Sequence, residues 1–231
     1  MMLNRNISYL PIIILLILFS AALLGGCSRH EVNALVTPHQ AVYENQPPDV
    51  SPEVQEQLTA VRVNYFDERG VSRTGQIVVH KELAGDVKRV FELIHDIKFP
   101  VASVLPIAHP EIQKKGLYGI SPDTRNSSGY VWRPGVGLGK LSMHALGMAV
   151  DINPHLNPYI KGGIVLPPGA SYRKDIPGTF TSDCPIVLLF KNLGWTWGGD
   201  WQEKGKVDYM HFEKIPPGWE KWAEKMKTVR R

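Results

Sequence analysis

Two short segments of this chain carry residues that could do chemistry together. The first is Ser142-Met143-His144-Ala145-Leu146-Gly147-Met148-Ala149-Val150-Asp151, and the second is Asp208-Tyr209-Met210-His211. His144, Asp151 and His211 offer two imidazoles and one carboxylate, a three-ligand set that leaves the fourth zinc position open. Catalytic zinc sites have that arrangement; structural sites are closed. Zinc held there would polarise a carbonyl, acidify a water and orient both reactants. Asp208 is placed to take a proton from the attacking water and pass it to the leaving amine. Arg133, which ends Tyr130-Val131-Trp132-Arg133, is the candidate cation for the oxyanion or for a substrate carboxylate, because guanidinium holds a carboxylate in a planar fork. The set reads as that of a zinc hydrolase. Zinc is preferred on ligand type, although two histidines and an aspartate also admit other divalent ions.

Other candidates read more plainly. His30, His39, His80, His95, His109 and His155 have no ligand spacing and read as structural. Ser142 lacks the Gly-x-Ser-x-Gly elbow of a serine nucleophile, so its hydroxyl is expected to orient substrate or a ligand. Asp200, within Trp197-Gly198-Gly199-Asp200-Trp201, reads as a turn residue, and Cys184 as a small buried one.

The elements that must position these groups follow from periodicity. Extended from Gly147 to Ile152, the chain puts Gly147, Ala149 and Asp151 on one face and Met148, Val150 and Ile152 on the other, toward the core. The small residues would leave room in front of Asp151. His144 precedes this strand, so the chain must turn back to bring both ligands to one ion. Asp208 and His211 are separated by an odd offset and would face opposite ways in a flat strand. They can share a site only if the chain bends, with Asp208 before a strand and His211 within it.

Val61, Val63 and Tyr65 alternate, Gln76 to His80 is β-rich, and Asp67-Glu68-Arg69-Gly70 lies between, so a hairpin is expected. Val87, Val90, Phe91 and Ile94 predict an amphipathic helix over 84–97, stopped by Phe99-Pro100. Asp183 is expected to cap a helix running to Leu193, with Gly194 as its stop. A last helix, exposed and basic, is expected over 219–229. Strands and helices mixed without a βαβ rhythm indicate α+β, with one small antiparallel sheet flanked by helices.

A net charge of +4 over 231 residues, with no basic cluster interleaved with aromatics, argues against nucleic acid as a partner. The N-terminus has Arg5, then an almost wholly apolar run from Tyr9 to Leu24, then Leu24-Gly25-Gly26-Cys27. This has the form of a secretion signal. Its apolar run of about 16 residues is shorter than the ~20 of a spanning helix. Its end resembles a bacterial lipobox, which implies cleavage before Cys27 and a lipid on that cysteine. The expected organisation is a signal peptide over 1–26, a lipidated Cys27 with a flexible tether to 55, and a catalytic domain over 56–231. The tether reading rests on Gln46-Pro47-Pro48-Asp49 and a lack of periodicity.

The combination Ser-x-His-x-x-Gly-x-Ala-x-Asp with Asp-x-x-His resembles the zinc D-alanyl-D-alanine carboxypeptidases and the related L-alanyl-D-glutamate endopeptidases, the group that includes vancomycin-resistance carboxypeptidases. Phe99-Pro100-Val101, the segment from Asn126 to Arg133, Asp151-Ile152-Asn153-Pro154 with Asn157-Pro158-Tyr159, the segment from Gly194 to Trp201, and Asp208 to Glu213 are similar as well. The resemblance implies His144, Asp151 and His211 as zinc ligands, Asp208 as general base, Arg133 as the transition-state arginine, and a fold shared with the Hedgehog signalling domain. The long acidic loop of that family looks shortened here, with Asp123 as its remnant. The implied function is zinc-dependent hydrolysis in peptidoglycan stem peptides, foremost as a D,D-carboxypeptidase. The alternatives are an L-alanyl-D-glutamate endopeptidase and a non-catalytic, zinc-stabilised wall-binding lipoprotein. The implied partners are stem peptides and, through the N-terminal lipid, a membrane of a bacterial cell envelope. Residues 162–181, rich in Pro and Gly, are expected to wall one side of the cleft.

Overall fold

The computed structural model describes residues 31–32, 35–115, 125–135 and 140–228. The strands are β1 (Glu31–Val32), β2 (Leu58–Phe66), β3 (Ser72–His80), β4 (Ser103–Val104), β5 (Asn126–Ser127), β6 (Ala149–Asp151), β7 (Tyr159–Lys161), β8 (Ile164–Leu166), β9 (Thr196–Trp197), β10 (Val207–Asp208) and β11 (His211–Glu213). The helices are α1 (Pro38–Tyr43), α2 (Pro52–Gln55), α3 (Ala84–Asp96), α4 (Pro110–Gln113), α5 (Pro185–Asn192) and α6 (Glu220–Lys227).

The hairpin β2–β3 is the longest pairing, with nine residue pairs from Leu58↔His80 to Phe66↔Ser72. Alternation sends Val63 and Tyr65 inward and leaves Arg62 and Asn64 exposed. Strand β3 lies between β1 and β2 and is buried on both faces from Thr74 onward. Its turn is held by one carboxylate. Asp67 accepts from the backbone N–H of Arg69 and of Val71, both at 2.9 Å, and from the guanidinium groups of Arg69 and Arg73. Helix α3 packs on this hairpin through Val87, Val90, Phe91 and Ile94, the expected stripe. A 13-residue helix is marginal alone, whereas each of these side chains contributes ~1.5–3 kcal/mol on burial.

The α+β class holds, but the single antiparallel sheet does not. Among the described residues the strands form three three-stranded sheets and one two-stranded sheet, including the parallel pairs β1–β3 and β4–β5. The strands near the site are two or three residues long, too short to propagate one continuous ladder. Boundaries also shift. Helix α5 begins at Pro185 with Cys184 as its N-cap residue, while Asp183 accepts a hydrogen bond from the Thr181 hydroxyl instead. Gly194, at φ +83°, stops that helix as expected. Helix α6 is not simply exposed, since Ala223 and Met226 are buried and Trp219 and Trp222 meet the ring of His80 edge-on.

The tether expectation needs a larger correction. Ala41, Val42 and Val54 are buried in the core. Helix α1 opens on a reciprocal capping box between Thr37 and Gln40. The packed unit therefore includes at least residues 38–55. The signal segment, Cys27 and Asp123 lie outside the described residues. No helix among the described residues is long and apolar enough to cross a membrane.

Those donors hold the Asp67 carboxyl down to about 2, although its burial works the other way. A depressed carboxylate contributes stability above its unfolded pKa and loses it as pH falls through the folded value. Asp67→Asn should therefore cost about 1–2 kcal/mol at pH 7, discounted for the open hairpin tip. The difference from wild type should vanish between roughly pH 4 and pH 2. Urea unfolding at pH 7 and at pH 3 checks both statements.

Candidate metal centre

The expected ligands converge. Strand β11 pairs antiparallel with β6 so that His211 stands directly across from Asp151. His144 comes from a short 3₁₀ turn, Met143–Leu146, that precedes β6. His144 Nε2 lies 3.1 Å from His211 Nδ1 and 3.2 Å from an Asp151 carboxylate oxygen, and His211 Nδ1 lies 3.1 Å from the other. Ligand atoms 2.0–2.1 Å from a tetrahedral ion stand roughly 3.3 Å apart, so this triangle has the size of a metal-binding face.

The remaining ring nitrogens fix the tautomers. His144 Nδ1 is 2.7 Å from the carbonyl of Gly129, which can only accept, so the hydrogen sits on Nδ1 and the Nε2 lone pair turns to the cluster. His211 Nε2 is 3.0 Å from a carboxylate oxygen of Glu213, which leaves Nδ1 for a metal. Glu213 thus joins the cluster, although the sequence alone assigns it no role. Its signal was its position two residues beyond His211, on the same face of an extended strand.

The electrostatics call for a cation at this point. Burial opposes ionisation of Asp151, yet the two imidazoles hold its carboxyl far below the ordinary range. Burial alone would lower the His211 pKa, but Asp151 and Glu213 on either side push it up to about 10. Glu213 is likewise lowered by its histidine partner against its own burial.

Asp208 solves the odd-offset problem by belonging to a different sheet. It lies on β10, which pairs with β7, and the turn at Tyr209-Met210 then carries the chain to β11. Gly198 allows this approach, because a Cβ there would sit 2.4 Å from the Asp208 carbonyl oxygen. Asp208 Oδ1 is buried with no hydrogen-bond partner among the described residues. Burial, reinforced by the Asp151 charge, raises its pKa to about 7 despite His211, Arg133 and Lys206 nearby.

The segment from Asn126 to Arg133 braces the centre. Ser128 and Asp151 exchange backbone hydrogen bonds, Val131 N–H reaches the His144 carbonyl, and Ser142 N–H reaches the Arg133 carbonyl. Gly129 is obligatory here, since a Cβ would meet the Val78 carbonyl oxygen at 2.2 Å. Arg133 faces the same cavity as the ligands. Its Nε is buried without a partner, and its only hydrogen bond to a described residue is a long 3.4 Å one to the Pro134 carbonyl. Ser142 also lines the cavity, but its hydroxyl oxygen accepts from the His144 N–H and so caps the turn that carries the ligand. Gly147 departs from its expected role. Its φ is +66°, and a Cβ would collide with Leu58 and His80, so it seats the turn against β2–β3 and does not clear space before Asp151.

The cavity measures about 430 Å³. It is also lined by Tyr159, Leu166, Pro167 and Trp201, so part of the Pro/Gly-rich stretch does wall it. Asp200 does not line it and pairs with Lys191 at 2.7 Å. His39, His80, His95, His109 and His155 make other contacts, and Cys184 is buried.

A family model described as D-alanyl-D-alanine carboxypeptidase matches residues 137–214. That stretch contains His144, Asp151, Asp208 and His211. The match supports a peptidase of this kind, and the cluster of His144, Asp151 and His211 is consistent with a metal site in it. No curated protein and no solved structure matches the chain.

Glu213→Gln should weaken metal binding about 10–100-fold, because it removes the charged acceptor that orients His211. The fold should persist, since Glu213 is only partly buried. Competition against a chromophoric chelator measures the affinity, and an unchanged affinity would remove Glu213 from the site.

Proposed function

We propose that this protein is a zinc-dependent peptidase of peptidoglycan stem peptides, acting foremost as a D-alanyl-D-alanine carboxypeptidase. The observation that carries this reading is the convergence of three metal-directed donor atoms, a buried unpartnered carboxylate and an unpaired guanidinium on one cavity. A structural metal site would need neither Asp208 nor Arg133, so the non-catalytic alternative is not favoured.

The donor set suits zinc, which when bound polarises the scissile carbonyl and acidifies water. Asp208 receives the proton of the attacking water at its free Oδ1 and returns it to the leaving amine. Arg133 orients a carboxylate or meets the developing negative charge through its unused donors. Ser142 and Gly129 hold His144 in place, and Glu213 holds His211. A cavity of about 430 Å³ accommodates the end of a short peptide.

One observation favours a second reading, endopeptidase cleavage between L-alanine and D-glutamate. Strand β8 is the edge of its sheet, exposes Ile164 and Val165, and delivers Leu166 to the cavity wall. Such an edge offers an extended peptide a place to run through the site. We extend the α+β class to the Hedgehog-like arrangement on the motifs alone. By the same reasoning the protein is exported and held by a lipid on Cys27, which places the site at a bacterial cell envelope.

Mass spectrometry of defined stem peptides, with chelator and zinc add-back, tests the function. Loss of D-alanine from a pentapeptide indicates the carboxypeptidase, and cleavage after L-alanine the endopeptidase. No metal-dependent cleavage would overturn the peptidase reading. Asp208→Asn should lower kcat about 10²–10⁴-fold with the metal retained. Undiminished turnover would remove Asp208 from the mechanism.

A further inference from the structure

The charges that line the cavity are unevenly matched. Among its carboxylates, Asp151 and Glu213 are committed to the histidines, Glu224 pairs with Lys140 at 3.5 Å, and Asp208 forms no ion pair among the described residues but lies in the field of Arg133 and Lys206. Lys204 and Lys206 also line it, and neither makes an ion pair among the described residues. Both are nevertheless held. Lys206 Nζ lies 4.7 Å from the centroid of the Trp201 ring and 5.9 Å from that of Tyr159, and Lys204 Nζ lies 5.1 Å from Trp201. Ring faces attract an ammonium group and restrict its long stem, so the charge is positioned before any ligand arrives.

The backbone fixes where that charge stands. Gly205, at φ +66°, ends the 3₁₀ segment Gly198–Lys204 and turns the chain into β10. Lys206 then lies two residues before Asp208, and alternation puts both on one side of the extended chain. Across the sheet, Asp208 pairs with Tyr159 and Tyr159 with Leu166, so these three side chains form one row, all of them lining the cavity. Lys206 sits over the middle of that row, on the Tyr159 ring. Arg133 belongs to a separate segment, beside Ser142. Lys227 also lines the cavity, but Arg133 and Lys206 are the two differently built cations near this row, a guanidinium fork and a ring-seated ammonium.

We propose that Lys206, seated on Trp201 and Tyr159, is a specificity residue that receives a second carboxylate of the peptide substrate, apart from the group met by Arg133. This rests on the peptidase reading and narrows it to acidic peptides, those that carry an internal carboxylate near the scissile bond. Lys204, whose Nζ also lies near the Trp201 ring, reinforces the local positive charge.

The test uses pairs of stem peptides that differ only in whether an internal carboxylate is free or amidated. The wild-type protein should prefer the free acid by about tenfold in kcat/KM, the scale of one charge-assisted hydrogen bond, with the difference in KM. Lys206→Met should bring the ratio within about twofold, and Lys206→Arg should restore most of it. Tyr159→Phe, which keeps the ring, should retain the preference, whereas Tyr159→Leu should reduce it. Equal rates on both members of every pair, or a preference that survives Lys206→Met, would overturn the proposal. Calorimetric binding of the same pairs to Asp208→Asn protein separates this proposal from the peptidase reading. If neither peptide is cleaved, tighter binding of the acid that Lys206→Met abolishes still supports the subsite. Equal binding of acid and amide rejects it.

Discussion

The pairing of β6 with β11 is the constraint on which the rest of the site depends. It places Asp151 opposite His211, Val150 opposite Phe212 and Ala149 opposite Glu213. Within β11 the period of two then divides the labour. His211 and Glu213 turn to the cavity, while Phe212 is fully buried, stacked on Phe190 at 4.0 Å and met edge-on by Phe180 at 5.2 Å. A slip of one residue would expose Phe212, bury the imidazole and carboxylate in apolar surroundings, and break the ligand pair. Deleting such a phenyl ring costs ~3–5 kcal/mol, so register is enforced by the core and the candidate metal ligands inherit it. The buried stack fixes the geometry of a site to which it contributes no ligand.

The second requirement is that the backbone come close enough for short hydrogen bonds, and the glycines mark where. Gly129 lies against the Val78 carbonyl and supplies the acceptor for His144, so the hairpin, the bracing segment and the first ligand are tied within two contacts. Gly147 lies against Leu58 and His80 just after that ligand. Gly198 does the same for the strand bearing Asp208. In each case a methyl group would move a functional side chain by displacing main chain, which explains why small residues cluster near the site without opening space for substrate.

Local signals in the sequence were reliable where they were local in the structure. The stripe of Val87, Val90, Phe91 and Ile94 and the alternation of Val63 and Tyr65 predict their elements because burial acts on one element at a time. The grouping of His144, Asp151 and His211 was legible because few other residue types suit a metal. The odd offset of Asp208 and His211 even required the bend that the structure has. What stayed hidden is non-local. Nothing near Gly205-Lys206 reveals that Lys206 will lie on the ring of Tyr159, nearly fifty positions earlier. Several three-residue strands carry too little periodicity to say how many sheets they make. Residues 38–55 were a different failure. Proline-rich composition suggested a tether, although Thr37 with Gln40 spells a capping box and Ala41 and Val42 supply the apolar face behind it.

The same cavity gathers groups that the fold alone would not keep. Asp151 and Asp208 are carboxylates withdrawn from water near each other, and burial works against ionisation of both. Arg133 and Lys206 are cations left without carboxylate partners a short way off. A domain selected only for stability would pair these charges or replace them with apolar residues of similar volume. Instead the anions are held beside the imidazoles by β-sheet register, and the cations are held by a backbone brace and by aromatic faces. Separation of this kind keeps both signs available. One end of the cavity suits a metal cation, and the other suits negatively charged groups. On the proposed peptidase reading, specificity and catalysis would arise from one electrostatic arrangement, because a substrate that satisfies the outer cations would by the same contacts be aligned along the row that ends at Asp208.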